Sequence, residues 1–328
     1  MTSARAAILS SPQALGAGLI ILAAVGFGTL GPLARYADQA DVTSLAMVTW
    51  RAGVGAALMV GFLLLRSATG HRPAKRWIDL PVRDRRFVIG GALTNAVLNL
   101  AVFIAFVRIG IALSLLIFYI YPALVALVSA TWFGERLDRL RWAALGISLA
   151  GAVLVVAGGG GLGSLDLLGM GLAFVAALAQ TFYALAARHG FSAIPGPQAA
   201  AVTMGGAAGI YLVVALVTGQ LGAVAHPLSA SAALWPVLLA GILGAAVPTV
   251  SFIAGIRLLG APRATILSTL EPVVGVSLAA LLFNELPATL QIAGGVLIVA
   301  AGVLLQLRPR GTVAEHEAVV ASDAPAEA

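Results

Sequence analysis

The 328 residues include no cysteine, so disulfides, thiolate metal sites and cysteine nucleophiles are excluded, and the redox compartment is left open. Charge is scarce as well. Only 10% of residues are Asp, Glu, Lys or Arg against 60% hydrophobic, and a mean hydropathy of +1.02 leaves too little polar surface to cover a water-soluble globule. There are four histidines, all of which the pattern places in loops or tails, and Glu271 is the single carboxylate near the middle of an apolar run. Intramembrane proteolysis needs a nucleophile and base, or paired acids, inside the spans. The chain is therefore not read as an enzyme, and neither a cofactor nor a metal is expected.

What it does contain is long apolar runs. Stretches of about 20 residues, enough to cross a hydrocarbon core as helix, fall at about 15–34, 44–65, 87–107, 111–133 and 140–157. A second set falls at about 165–187, 199–218, 234–256, 261–283 and 288–307. The first run has no persuasive cleavage site and is taken as a retained span. Short connections at 108–110 and near Gly260 predict two tight helical hairpins.

The two sets are related. Gly16-Ala17-Gly18-Leu19 returns as Gly169-Met170-Gly171-Leu172, and each stretch runs without a gap to an Ala-Arg pair, Ala34-Arg35 and Ala187-Arg188. Gly110, Pro122, Ala130, Phe133 and Glu135 match Gly260, Pro272, Ala280, Phe283 and Glu285, each 150 positions later. The expected organisation is a cytoplasmic segment 1–14, a five-helix repeat 15–157, a Gly-rich link 158–164, a second five-helix repeat 165–307 and a disordered tail 308–328. Because five is odd, the second copy must enter the bilayer from the opposite side, giving an all-α membrane protein of ten helices in two inverted repeats.

Net charge is +6, and its location explains it. With both termini cytoplasmic, sixteen of the nineteen Lys and Arg residues lie inside, as the positive-inside rule requires of a cytoplasmic (inner) cell-membrane protein. The basic 66–86 loop then acts as a retention signal beside anionic lipid, and nucleic acid is not an expected partner.

Candidate functional residues follow from polarity inside the spans. Pro32, Pro122, Pro248 and Pro272 each remove a backbone donor, freeing the carbonyls of Gly28, Phe118, Gly244 and Ser268. Helix breaks at matched points of two halves mark a central site or hinge; the alternative is a passive kink. Glu271 must be neutral, paired or in a wet cavity, and could couple proton flow to transport. Arg51, the one basic residue inside a span, either pairs with Glu271, snorkels outward or binds an anionic substrate group. Phe118 and Tyr121 share a helix face, while Ser268, Thr269 and Glu271 are their repeat counterparts or neighbours, a mixture suited to an amphipathic metabolite or small organic cation. Asn95, Asn99, Gln180 and Thr181 are expected to face the interior. Glu135 and Glu285, just past the fourth and ninth spans, are candidate gate residues or helix-end partners.

Ten spans as two fives, with Pro122 then Glu135 in one half, Glu271-Pro272 then Glu285 in the other, and the stretch Gln291 to Gly302 behind them, closely resemble the EamA family of the drug/metabolite transporter superfamily. The resemblance covers about 15–307. It implies a basket of ten helices around a central cavity, and efflux or exchange of small metabolites, amino acids or drugs by alternating access. Two positions depart from the usual family form: Phe27-Gly28 stands where Trp-Gly is frequent, and Gln180-Thr181 where Trp-Ala is common. The competing readings are a non-transporting scaffold or sensor, and a channel.

Overall fold

The computed structural model describes residues 12–69, 75–135, 138–158, 166–191, 194–284 and 286–306. The expected N-terminal segment (but for its last three residues), the Gly-rich link after Gly158, the C-terminal tail and Glu285 lie outside the described residues. All regular structure among the described residues is helical. The first half carries α1 (Pro12–Gly28), α2 (Leu30–Asp38), α3 (Ser44–Ala68), α4 (Val82–Phe118), α5 (Tyr121–Trp132) and α6 (Arg139–Gly158). The second carries α7 (Leu167–His189), α8 (Gly196–Val217), the short α9 (Leu221–Ala225), α10 (Ser231–Gly241), α11 (Val247–Leu259), α12 (Ala261–Ser268), α13 (Glu271–Phe283) and α14 (Thr289–Gln306).

Among the described residues, nine helical stretches are long and apolar enough to cross a membrane. The tenth expected span is the shorter apolar helix Thr289–Leu304. Several spans are broken rods: α1 and α2 make up Pro12–Asp38, α10 and α11 make up Ser231–Leu259, and α12 and α13 make up Ala261–Phe283. One expectation differs in detail. No loop interrupts helical bonding at 108–110, where α4 runs unbroken, whereas its counterpart is broken at Gly260 with φ +84°, a backbone region glycine enters without the penalty a Cβ brings.

Large apolar side chains point outward, among them Leu65, Trp132, Leu167 and Leu281, while the interior is dominated by Ala, Gly, Ser and Thr. This is the inverse of a soluble protein's pattern. In lipid, apolar burial gives helices little reason to associate, so close approach at small residues supplies the cohesion. The principal pairs are α4 against α7, α1 against α11, α3 against α8 and α6 against α14, with α4 also on α8, α3 on α10, α5 on α7 and α13 on α1. Exchanging each helix for its sequence-repeat counterpart turns this set of pairs into itself.

The tightest approach of one helix backbone to another at a described glycine joins α6 to α14. A Cβ on Gly294 would sit 2.5 Å from the Gly151 carbonyl oxygen, and one on Gly151 would sit 2.7 Å from the Gly294 carbonyl oxygen. Gly294→Ala is therefore expected to destabilise the fold by about 1–3 kcal/mol through overpacking. Gly146→Ala, on the same α6 with nothing within 4 Å of the added carbon, should leave thermal melting of the detergent-solubilised protein unchanged or slightly raised.

Candidate functional site

The helix breaks gather around one cavity of about 680 Å³. Its wall is drawn from both halves: α1 and α2, the start of α3, α4, α5, α7, α11, α12 and α13. The wall takes in the last turn of α2 at Arg35 and Asp38, Ser44 at the start of α3 and Phe283 at the end of α13. The cavity therefore reaches the face formed by those ends. Toward the other face it stops at Gln180 and Tyr183 on α7 and Phe252 on α11, with the ends of α7 and α11 lying beyond it.

Each break has a local cause. Pro122 and Pro272 sit in the first turns of α5 and α13, and their lost donors end the preceding helices at Phe118 and Ser268. Pro32 plays the same part in α2, next to Thr29, whose hydroxyl donates to the Gly26 carbonyl at 2.7 Å. Pro248 follows a π-helical turn at Ile242–Ala246, a form found mostly as single-turn bulges at functional sites. Pro236, inside α10, lies near a span end and escaped the sequence reading.

Arg51 uses one of the freed carbonyls. Its Nε donates to the Gly244 carbonyl at 3.0 Å, the group whose helical donor Pro248 removes. Its Nη1 donates to Asn99 Oδ1. Asn99 Nδ2 in turn donates to the Asn95 carbonyl at 2.7 Å and to Asn95 Oδ1 at 2.9 Å. Arg51 therefore neither snorkels outward nor forms an ion pair with Glu271 within 4.0 Å; its polar partners are the Gly244 carbonyl and Asn99. The guanidinium is held in the cavity wall with a further N–H edge left over.

Glu271 lines the same cavity, and among the described residues no hydrogen bond to its carboxylate is present. Beside it the two halves meet directly. Tyr121 Oη lies 2.5 Å from Ser268 Oγ; Ser268 donates its own proton to the Thr265 carbonyl at 2.8 Å, so the phenol is the donor. Phe118 packs against Tyr121 with ring centroids 5.1 Å apart and planes tilted by 39°. Phe118, Tyr121, Ser268, Gln180, Asn95 and Asn99 all border the cavity.

Two expected interior residues do not. Thr269 is fully buried and returns its hydroxyl to the Ile266 carbonyl at 2.7 Å, and Thr181 does the same to Ala177 at 2.8 Å. Glu135 lies away from the cavity, facing Arg188 and His189. Burial pushes its carboxyl above the ordinary carboxylate value, against the pull of Arg188 and Arg141. Several wall residues were missed: Arg35, Asp38, Tyr183 and Phe252. The i, i+3 spacing of Arg35 to Asp38, Gln180 to Tyr183 and Thr249 to Phe252 places each pair on one helix face, a signal available once one member of the pair is assigned inward.

With this geometry in view, the comparisons with known proteins are informative. The family model for EamA-like transporters matches twice, over residues 14–157 and 167–307. No curated protein matches the chain. A solved structure, titled only as the crystal structure of a protein, is 21% identical over 91% of this chain and 97% of its own, with a TM-score of 0.68. At that identity the likeness speaks for the fold alone.

The Tyr121–Ser268 contact is open to a double-mutant cycle. Tyr121→Phe, Ser268→Ala and the double variant are expected to show a coupling of about 0.6–1.7 kcal/mol in unfolding, the range found between membrane helices. Strictly additive losses would show that the bond contributes nothing.

Proposed function

This chain belongs to the EamA-like transporter family, and on that premise we propose that it exports or exchanges a small organic solute by alternating access. The observation that carries this is a cavity of about 680 Å³ between the halves, reaching one face and stopping short of the other. A channel would need a path to both. Volumes of roughly 300–1,000 Å³ suit metabolite-sized ligands.

The proposed architecture is five helices inverted on five, with Thr289–Leu304 as the tenth. Support comes from helix pairs that map onto themselves when the halves are exchanged, and from breaks at the matched prolines Pro122 and Pro272. The distribution of Lys and Arg supports cytoplasmic termini in a cytoplasmic membrane.

Within the cavity, Arg51 offers a fixed cationic edge, Glu271 a carboxylate with no hydrogen bond among the described residues, and Phe118 and Tyr121 an aromatic wall. That combination accommodates an amphipathic metabolite, amino acid or drug-like solute. We assign Glu271 the coupling role. A carboxyl that ligand or water alone can satisfy changes its protonation as the cavity is wetted from one side and then the other. Hinge motion is assigned to the breaks at Pro32, Pro122, Pro248 and Pro272, where backbone bonds are already missing.

Thermal-shift screening of the purified protein against amino acids, amines and sugars should reveal a ligand that raises the melting temperature, since a ligand binding only the folded form stabilises it. Reconstituted protein should then exchange that labelled ligand faster when unlabelled ligand is present on the opposite side. Glu271→Gln is expected to abolish acceleration by a pH gradient while leaving binding measurable. Transport with unchanged pH dependence in this variant would remove the coupling role and leave the carrier standing.

A further inference from the structure

Beyond the end of the cavity lies a cluster that the site does not use. The imidazole of His189 at the end of α7 stacks on the Phe133 ring just past α5, centroids 3.9 Å apart and planes 2° from parallel. Glu135 Oε1 lies 3.8 Å from Arg188 Nε and 3.5 Å from His189 Nε2. The second of these is out of hydrogen-bond alignment: His189 Nε2 is buried and has no hydrogen-bond partner among the described residues. Phe133 and Glu135 come from the first half, Arg188 and His189 from the second.

The contacts on either side of this seam differ in kind. Within the second half, the end of α7 is tied to the end of α11 by hydrogen bonds: Arg188 Nη1 donates to the Arg257 carbonyl at 2.6 Å, and Arg257 Nη2 donates to the carbonyls of Phe191 and Ile194. The end of α5 meets this plate through the ring stack and two long ion pairs on partly exposed side chains, while elsewhere at this face the halves are also joined by Lys75 and Gln198, whose backbone and side-chain groups exchange two hydrogen bonds. The second half therefore presents a braced plate at this face, and the end of α5 rests on it through contacts that part without leaving any backbone group unsatisfied. Partly exposed ion pairs and a single stack are weak enough to break and re-form.

We propose that the Phe133–His189 stack, together with Glu135 and Arg188, is the latch that closes the cavity at this face, and that opening there proceeds by α5 leaving the α7–α11 plate. The proposal rests on the alternating-access reading, which gives closure at one face its purpose. The sequence repeat places Arg35, Tyr36 and Phe283 as counterparts of Arg188, His189 and Phe133. At the far face Arg35 lies over the Phe283 ring, 4.2 Å from its centroid, and Tyr36 packs on the same ring with centroids 5.1 Å apart. Arg35 and Phe283 border the cavity at its open end, so Phe283 provides a matched control there.

The absence of native cysteine makes the test direct. A single reporter, Thr249→Cys at the closed end of the cavity, is introduced into the full chain in membrane vesicles of both orientations. Its labelling by a membrane-impermeant maleimide is timed from each side. Phe133→Ala and Arg188→Gln are each expected to raise the rate from the latch face about three- to tenfold, as the loss of one stack or partly exposed ion pair predicts. The exchange of Glu135→Arg with Arg188→Glu should return it toward the parent. Phe283→Ala should not raise it.

Unchanged latch-face labelling in Phe133→Ala and Arg188→Gln, with melting temperatures equal to the parent, overturns the latch. So does an equal rise from both faces, which marks general loosening. Because the readout is accessibility, failure of the cysteine-free parent to show counterflow would remove the carrier reading while leaving a labelling change in place. Unchanged labelling beside active counterflow would remove the latch alone.

Discussion

In hydrocarbon, a backbone carbonyl that loses its helical donor must find another, because no bulk water is present to satisfy it. That constraint organises this molecule. Prolines in the spans remove donors at chosen depths, and the helices containing them can persist only where a side chain, a neighbouring helix or a wet cavity completes the missing bond. The Gly244 carbonyl, released by Pro248, accepts from Arg51, and Arg51 is held in turn by Asn99 and, through it, Asn95. The same residues that repair the backbone form the polar part of the cavity wall.

Packing answers a second constraint. Helices in lipid gain little from burying apolar surface against one another, so cohesion comes from close approach at glycine and alanine and from a few interhelical hydrogen bonds. Gly151 and Gly294 let α6 and α14 meet backbone to backbone, fixing one edge of the bundle. The broken helices around the cavity also pack closely at glycines, α1 on α11 at Gly16 and Gly255, and are tied besides by Tyr121 to Ser268 and by the polar chain from Arg51.

Much of this was legible in the residues. Ten apolar runs, the 150-residue recurrence of Pro122, Phe133 and Glu135, and the intrahelical prolines led to helices, breaks and a site between halves. Gln180, Asn95, Asn99, Phe118, Tyr121, Ser268 and Glu271 were picked out because polar or aromatic side chains at mid-span face the interior. Thr269 and Thr181 face the interior as well, but away from the cavity. A threonine in a helix can spend its hydroxyl on the carbonyl three or four residues back, so mid-span polarity alone does not tell a wall residue from a self-satisfied one. His189, placed in a loop by the run lengths, instead ends α7 and stacks on Phe133.

The sequence by itself determined the solvent, the number and rough limits of the apolar segments, the repeat and the positions at which helices must break, because each of these follows from local composition or from the missing proline donor. Only the tertiary structure decided the partners. Arg51 reaches a carbonyl 193 residues away and Tyr121 a hydroxyl 147 residues away. The choice between Glu271, the lipid headgroups and a freed carbonyl depended on which helix the packing of small residues brought alongside. Chain-local physics sets what each residue needs; the three-dimensional contact decides which distant group supplies it.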